Sequence, residues 1–160
     1  MSEARKRVSR RRRTAAVLAI GIAIGTVEAA GATIIPQRSI AGVELEMTRA
    51  SVRAVLGNPG RVIHGTNEFG QYTVFRYYRL RVTFQGNATV TAVETNRLQE
   101  RTPRGAGVGS TRAELRAKVT GLTCMPRFCF KGQFLPGRRV TVFRICDGIV
   151  TRVQIGFVID

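Results

Sequence analysis

The sequence has a single histidine, His64, and no tryptophan. One histidine leaves little room for nucleophilic catalysis, because a Ser or Cys nucleophile usually needs a base within reach. His64 falls in residues 61–70, a stretch that reads as a surface loop. Acidic side chains are also few, 10 against 26 Lys and Arg. Beyond residue 32 they are Glu44, Glu46, Glu68, Glu94, Glu100, Glu114, Asp147 and Asp160. Glu44 and Glu46 sit just ahead of a helix and suit its N-terminal electrostatics, so no carboxylate pair stands out for acid–base work. Gly105-Ala-Gly-Val-Gly109 lacks the preceding strand and the Lys-Ser/Thr ending of a phosphate-binding loop. Three cysteines and one histidine at these spacings make a poor zinc site. The expectation is a binding protein, not an enzyme, with no metal and no cofactor.

No apolar run reaches the ~20 residues that span a bilayer. The longest charge-free stretch, Thr14 to Val27, follows a basic run of Arg5, Lys6, Arg7 and Arg10 to Arg13. Small residues come next, with Ala30-Gly31-Ala32 at the position a signal peptidase reads. Basic, apolar and small segments in that order predict a signal peptide over residues 1–32, cut after Ala32. The alternative is a single retained N-terminal membrane anchor. Arg12-Arg13 admits a twin-arginine route, and the absence of a following Cys excludes a lipoprotein. Export makes the chain secreted or extracytoplasmic. Removing residues 1–32 takes away seven cations and two acids, which lowers the net charge from +16 to +11. The basic character therefore belongs to the remaining chain too. An apolar fraction of 44% argues against wholesale disorder.

Two segments are alike. Thr48-Arg-Ala-Ser-Val-Arg-Ala54 returns as Thr111-Arg-Ala-Glu-Leu-Arg-Ala117, an offset of 63. Each begins with a Thr able to cap a short helix, and Glu114 three residues after Thr111 completes a capping-box pattern. Val52, Val55 and Leu56 share one helix face, as do Leu115 and Val119. Aromatic and β-branched runs follow each helix and predict three-stranded antiparallel meanders. The expected fold class is α+β. Two similar units, residues 40–98 and 107–160, follow a linker over 33–39 and flank a joint over 99–106. Sharing a core or a continuous sheet would compensate for their small size. In the last hairpin a three-residue loop, Cys146-Asp147-Gly148, pairs Ile145 with Ile149 and Phe143 with Thr151. That register buries Thr141, Phe143, Ile145, Ile149, Val153, Ile155 and Phe157.

Export favours a disulfide. Cys124 and Cys129 flank Met-Pro-Arg-Phe, where a bridge would staple the helix exit to the next strand. Cys146 is the odd thiol and the alternative partner of either one.

The duplicated unit resembles the β-lactamase inhibitor protein fold. It is also similar to the small outer-membrane assembly lipoproteins of the SmpA/OmlA type, which carry one such unit. The matching residues are Gly42-Val-Glu-Leu-Glu-Met-Thr-Arg49, Gly107-Val-Gly-Ser-Thr-Arg112 and the helix exit Gly57-Asn-Pro59. The resemblance implies a tandem helix-plus-sheet fold over residues 40–160. It also implies an inhibitor-like module that grips a protein on an aromatic sheet face.

Arginine and tyrosine mark the candidate binding surface: Tyr72, Arg76, Tyr78, Arg79 and Arg81 in the first unit, Lys131, Arg144 and Arg152 in the second. Such a face suits an acidic protein at or outside the cell envelope. The alternative is an envelope-structural protein held electrostatically to anionic polymer or membrane, with membrane contact only if the N-terminal segment is retained. Export disfavours nucleic acid as the partner. Arg49, Arg53, Arg112 and Arg116 are expected to face solvent from the helices.

Overall fold

The computed structural model describes residues 33–86 and 88–159. The signal peptide or anchor expected over 1–32 lies outside the described residues. Residues 33–45, part of which reads as a linker, form a small three-stranded sheet of β1 (Ile34–Ile35), β2 (Ser39–Ile40) and β3 (Val43–Glu44). Its Ile34, Ile40 and Val43 are fully buried.

Helix α1 (Arg49–Leu56) starts at Thr48, whose hydroxyl accepts the Ser51 N–H at 3.1 Å. Helix α2 (Arg112–Lys118) starts at Thr111 with both halves of a capping box. The Glu114 N–H donates to the Thr111 hydroxyl at 3.2 Å, and the Thr111 N–H donates to the Glu114 carboxylate at 2.7 Å.

Strands β4 (Arg61–Asn67), β5 (Gly70–Tyr77), β6 (Leu80–Gln85) and β7 (Ala92–Thr95) follow α1. After α2 come β8 (Thr123–Met125), β9 (Phe128–Gly132), β10 (Arg139–Cys146) and β11 (Ile149–Phe157). All eight form one antiparallel sheet in the order β4-β5-β6-β7-β11-β10-β9-β8. The expected α+β class, with a helix and a three-stranded meander per unit, is thereby corrected. The protein is mostly β, with two short helices among its described residues. Two features account for the difference. Arg61–Asn67 is an edge strand whose exposed, mixed composition hides it as a loop. The β7–β11 pairing, Val153 opposite Thr95 and Ile155 opposite Val93, makes one sheet of the two runs.

The core lies on one sheet face. Phe75, Phe84, Phe143, Val93 and Ile155 meet Val52 of α1, Leu115 of α2 and the small sheet. Phe75 and Phe84 touch edge to face at 4.8 Å. Burying each such side chain contributes about 1.5–3 kcal/mol. Arg116 is exposed, as expected of the helix arginines, whereas Arg49, Arg53 and Arg112 bend back onto the fold. Arg53 lies 4.5 Å over the Phe75 ring, Arg49 donates to the Thr73 hydroxyl at 2.8 Å, and Arg112 donates to the Met125 carbonyl at 2.9 Å. Short helices leave part of the aromatic layer open, and long arginine stems cover it.

The last hairpin corrects the expected register. Its loop has two residues, Asp147 and Gly148, with φ of 51° and 77°, the type I′ geometry that matches strand twist. Cys146 therefore pairs with Ile149 and Ile145 with Val150. A bulge at Thr151 then shifts the register, so Arg144 meets Arg152 and Phe143 meets Val153. Without that extra residue, the two-residue loop would turn Val153 and Ile155 out of the core. Ile149, expected inside, is 44% exposed, and Val150 is buried instead.

Candidate functional site

α1, α2 and the small sheet cover one face of the large sheet, and no described element covers the other. Strand alternation delivers a defined set of side chains there. Arg61, Arg76, Arg81 and Glu94 stand opposite one another from β4 to β7. The same row continues as Gln154, Val142 and Phe130 across β11, β10 and β9. A second row brings Arg152, Arg144 and Phe128 together.

The first half of this face is a cationic cleft of about 220 Å³, lined by Arg76, Tyr77, Arg79, Arg81, Asn96 and Arg152 around Glu94. Glu94 holds Arg152 at 3.3 Å and Arg81 at 3.6 Å. Four guanidiniums thus face one carboxylate. The tight turn Tyr78-Arg79, with Arg79 at φ 54°, projects one of them. That turn is pinned from below: Asn96 donates to the Arg79 carbonyl at 3.1 Å, and Arg97 Nε donates to the Tyr78 carbonyl at 2.7 Å. Arg76 and Arg81 are a directly opposed like-charge pair, an arrangement that costs about 0.2–1 kcal/mol. An incoming carboxylate or phosphate would remove that cost while gaining forked, charge-assisted hydrogen bonds. Behind the cleft, on the helix side of the sheet, burial pushes the Tyr77 phenol above its ordinary pKa, with Arg53 opposing, and its hydroxyl donates to the Gly57 carbonyl.

The second half is aromatic. Phe128, Phe130 and Phe134 pack mutually, with ring centroids 4.7 Å apart for Phe130–Phe134 and 6.1 Å for Phe128–Phe130. Phe128 and Phe134 line a shallow groove with Val140, Val142, Arg144 and Gln154. Phe134 and Leu135 remain half exposed.

The structure brings Arg76, Arg79, Arg81 and Arg152 into one cleft and puts Arg144 beside Arg152. Tyr72 lies on the same face at its β4 end, its ring over Gly65, where any Cβ would collide with it. Tyr78 stands 80% exposed at the turn. Lys131 does not belong with them. It pairs with the core-side Thr141 and donates to the Thr120 carbonyl at 3.1 Å, behind the sheet. Sequence reasoning missed Arg61, because β4 itself was not evident. It missed the role of Glu94, although alternation within Ala92–Thr95 already sends Glu94 and Val93 to opposite faces. The three phenylalanines carried a visible signal, an aromatic cluster over residues 128–134, that was assigned to strand formation alone.

The Cys124–Cys129 disulfide is present, joining directly opposed residues of β8 and β9 with Cα atoms 4.0 Å apart. Cys146 is free and exposed. Among the described residues no group of three His, Cys, Asp or Glu side chains gathers to hold a metal. Among them, too, no helix is long and apolar enough to cross a membrane.

No protein-family model matches the chain, and no curated protein matches it in sequence. One solved structure is similar, an extracellular protein containing an SCP domain from Bacillus anthracis str. Ames. The identity is 8%, the TM-score 0.49, and the match covers 71% of this chain. It spans 44% of that protein's length.

Proposed function

We propose that this chain is an exported basic binding protein that recognises an acidic protein at or outside the cell envelope, in the manner of an inhibitor-like module. The supporting observation is the uncovered sheet face, where four arginines surround one glutamate and adjoin three packed phenylalanines. The charges would steer and orient an acidic surface, and the aromatic half would exclude water from the contact. The disulfide and the basic–apolar–small N-terminal pattern support an extracytoplasmic location.

The second reading, electrostatic attachment to anionic polymer or membrane, uses the arginines but leaves the aromatic half without a role. The test is affinity capture from the producing cell's envelope fraction, with wild type beside an Arg76→Glu/Arg81→Glu variant. Any protein retained by wild type alone is then purified and titrated at low and high salt. The expected result is one such protein, whose complex loses mainly association rate as salt rises. Absence of any charge-sensitive protein, together with salt-labile cosedimentation with phosphatidylglycerol vesicles or anionic wall polymer, would favour the second reading.

A further inference from the structure

The two edges of the large sheet are finished differently. β8 is three residues long, is bridged to β9 by the disulfide, and runs into Pro126. The guanidinium of Arg112 occupies the Met125 and Pro126 carbonyls beside it. Short strands, prolines and covering groups are how proteins keep an edge from pairing with another chain. β4 has none of these devices. It is seven residues long and regular, contains no proline or lysine, and no described element pairs with its outer side.

The direction of its free groups follows from the turns. Tyr78-Arg79 is a two-residue hairpin loop, so Tyr77 and Leu80 form a hydrogen-bonded pair. Alternation along β5 then sends the backbone groups of Phe75 and Thr73 to β6 and those of Arg76, Val74 and Tyr72 to β4. The Gly86 N–H donating to the Gln71 carbonyl at 2.8 Å obeys the same alternation. On β4, therefore, Arg61, Ile63 and Gly65 bond inward, while Val62, His64 and Thr66 point their N–H and C=O groups away from the sheet. The side chains at this edge are sorted as well. Arg61 extends the arginine row of the open face, and Val62, 38% exposed, lies on the helix side.

We infer that β4 is a strand-addition site for an extended acidic segment of the partner. The segment would bond to the outward groups of Val62, His64 and Thr66 and set its acidic side chains against Arg61 and the row of Arg76 and Arg81 behind it. Residues of the added strand opposite Arg61 and Ile63 share the arginine face, and those opposite Val62 and His64 share the helix side. Acidic and β-branched residues should therefore alternate, with the amides of the β-branched residues making the bonds. This inference rests on the acidic-partner reading and adds the form the partner takes.

The probe is a capped heptapeptide, Val-Glu-Val-Glu-Val-Glu-Val, titrated into the full-length protein by fluorescence anisotropy at low salt. N-methylating its valine amides should weaken binding about tenfold or more, while methylating its glutamate amides should leave it nearly unchanged. Thr66→Pro removes one outward N–H without touching the β4–β5 ladder and should also weaken binding, with near-UV circular dichroism and melting temperature confirming its fold. Equal binding by both methylated peptides, lost in Arg76→Glu/Arg81→Glu, would overturn strand addition and leave the acidic-partner reading standing. No binding by the unmethylated peptide would also overturn it, with the acidic-partner reading still judged by the capture experiment. A dimer in sedimentation velocity that Thr66→Pro dissolves would overturn it in favour of a second copy of this chain on β4.

Discussion

The two halves of the open sheet face have the same strand parity, yet opposite chemistry: the arginines of one are exposed and the aromatic residues of the other half-buried. From β4 to β7 the face carries Arg61, Arg76, Arg81 and Glu94; from β9 to β11 it carries Phe128, Phe130, Val142 and Gln154. Like charges placed opposite one another weaken a sheet, and aromatic contacts strengthen one. The arginine half therefore spends stability, and the aromatic half contributes it. The edges of the sheet repeat the contrast: β8 is covalently stapled, and β4 is open.

Removing the staple is the strongest way to break that contrast. Cys124→Ala/Cys129→Ala should cost about 2 kcal/mol, as expected for a bridge closing so short a loop. Urea denaturation measures the loss, and amide exchange should accelerate first in β8 and β9. Phe130→Ala should cost about 1.5 kcal/mol, half the price of a fully buried phenylalanine, because its ring is packed against Phe128 and Phe134 from one side.

Glu94→Gln removes the acid between Arg81 and Arg152. Both arginines are partly exposed, so the expected loss is about 1 kcal/mol at low salt, largely recovered in 0.5 M NaCl as screening relieves the repulsion (about one Debye length of 4 Å). Arg76→Ala should go the other way, raising stability by about 0.5 kcal/mol because it relieves the repulsion with Arg81. A destabilised Arg76→Ala would show that the row is structural and end the contrast between the halves.

The smallest effect sits behind the sheet. Its two hydrogen bonds with Thr111 hold the Glu114 carboxyl below the ordinary value of 4.5. A depressed carboxyl contributes stability above its unfolded pKa and loses it as pH falls through the folded one. The melting-temperature gap between wild type and Glu114→Gln should be constant from neutral pH down to about 4.5, then narrow below it.

Short-range chemistry was readable before any coordinates. Thr48 and Thr111 announce helix starts because a hydroxyl followed by three helical residues satisfies free N–H groups locally. Cys124 and Cys129 sit close enough in sequence for a hairpin to oppose them, and the arginines of β5 and β6 stand out among the tyrosines and phenylalanines around them. Lys131 shares the face of the buried Cys129, away from Phe128 and Phe130, and that face is fixed as the core side by the residues of β10 that the strand meets. Arg49, Arg53 and Arg112 look solvated on a helix wheel; the first two lie over Phe84 and Phe75, and the third is drawn to the Met125 and Pro126 carbonyls, only once the chain has folded.

By itself, then, the sequence determined the caps, most of the strands and the surplus of positive charge, all properties of residues within a few positions of one another, and it favoured Cys124–Cys129 while leaving Cys146 as the alternative partner. Tertiary structure alone decided that β7 and β11 join the runs into one sheet, that Thr151 bulges to restore the core register, that Arg61 to Glu94 align in a row, and that β4 is an open edge. Each of these depends on pairing between residues far apart in the chain. In a sheet, a one-residue shift in such pairing exchanges the two faces, and no local pattern fixes it.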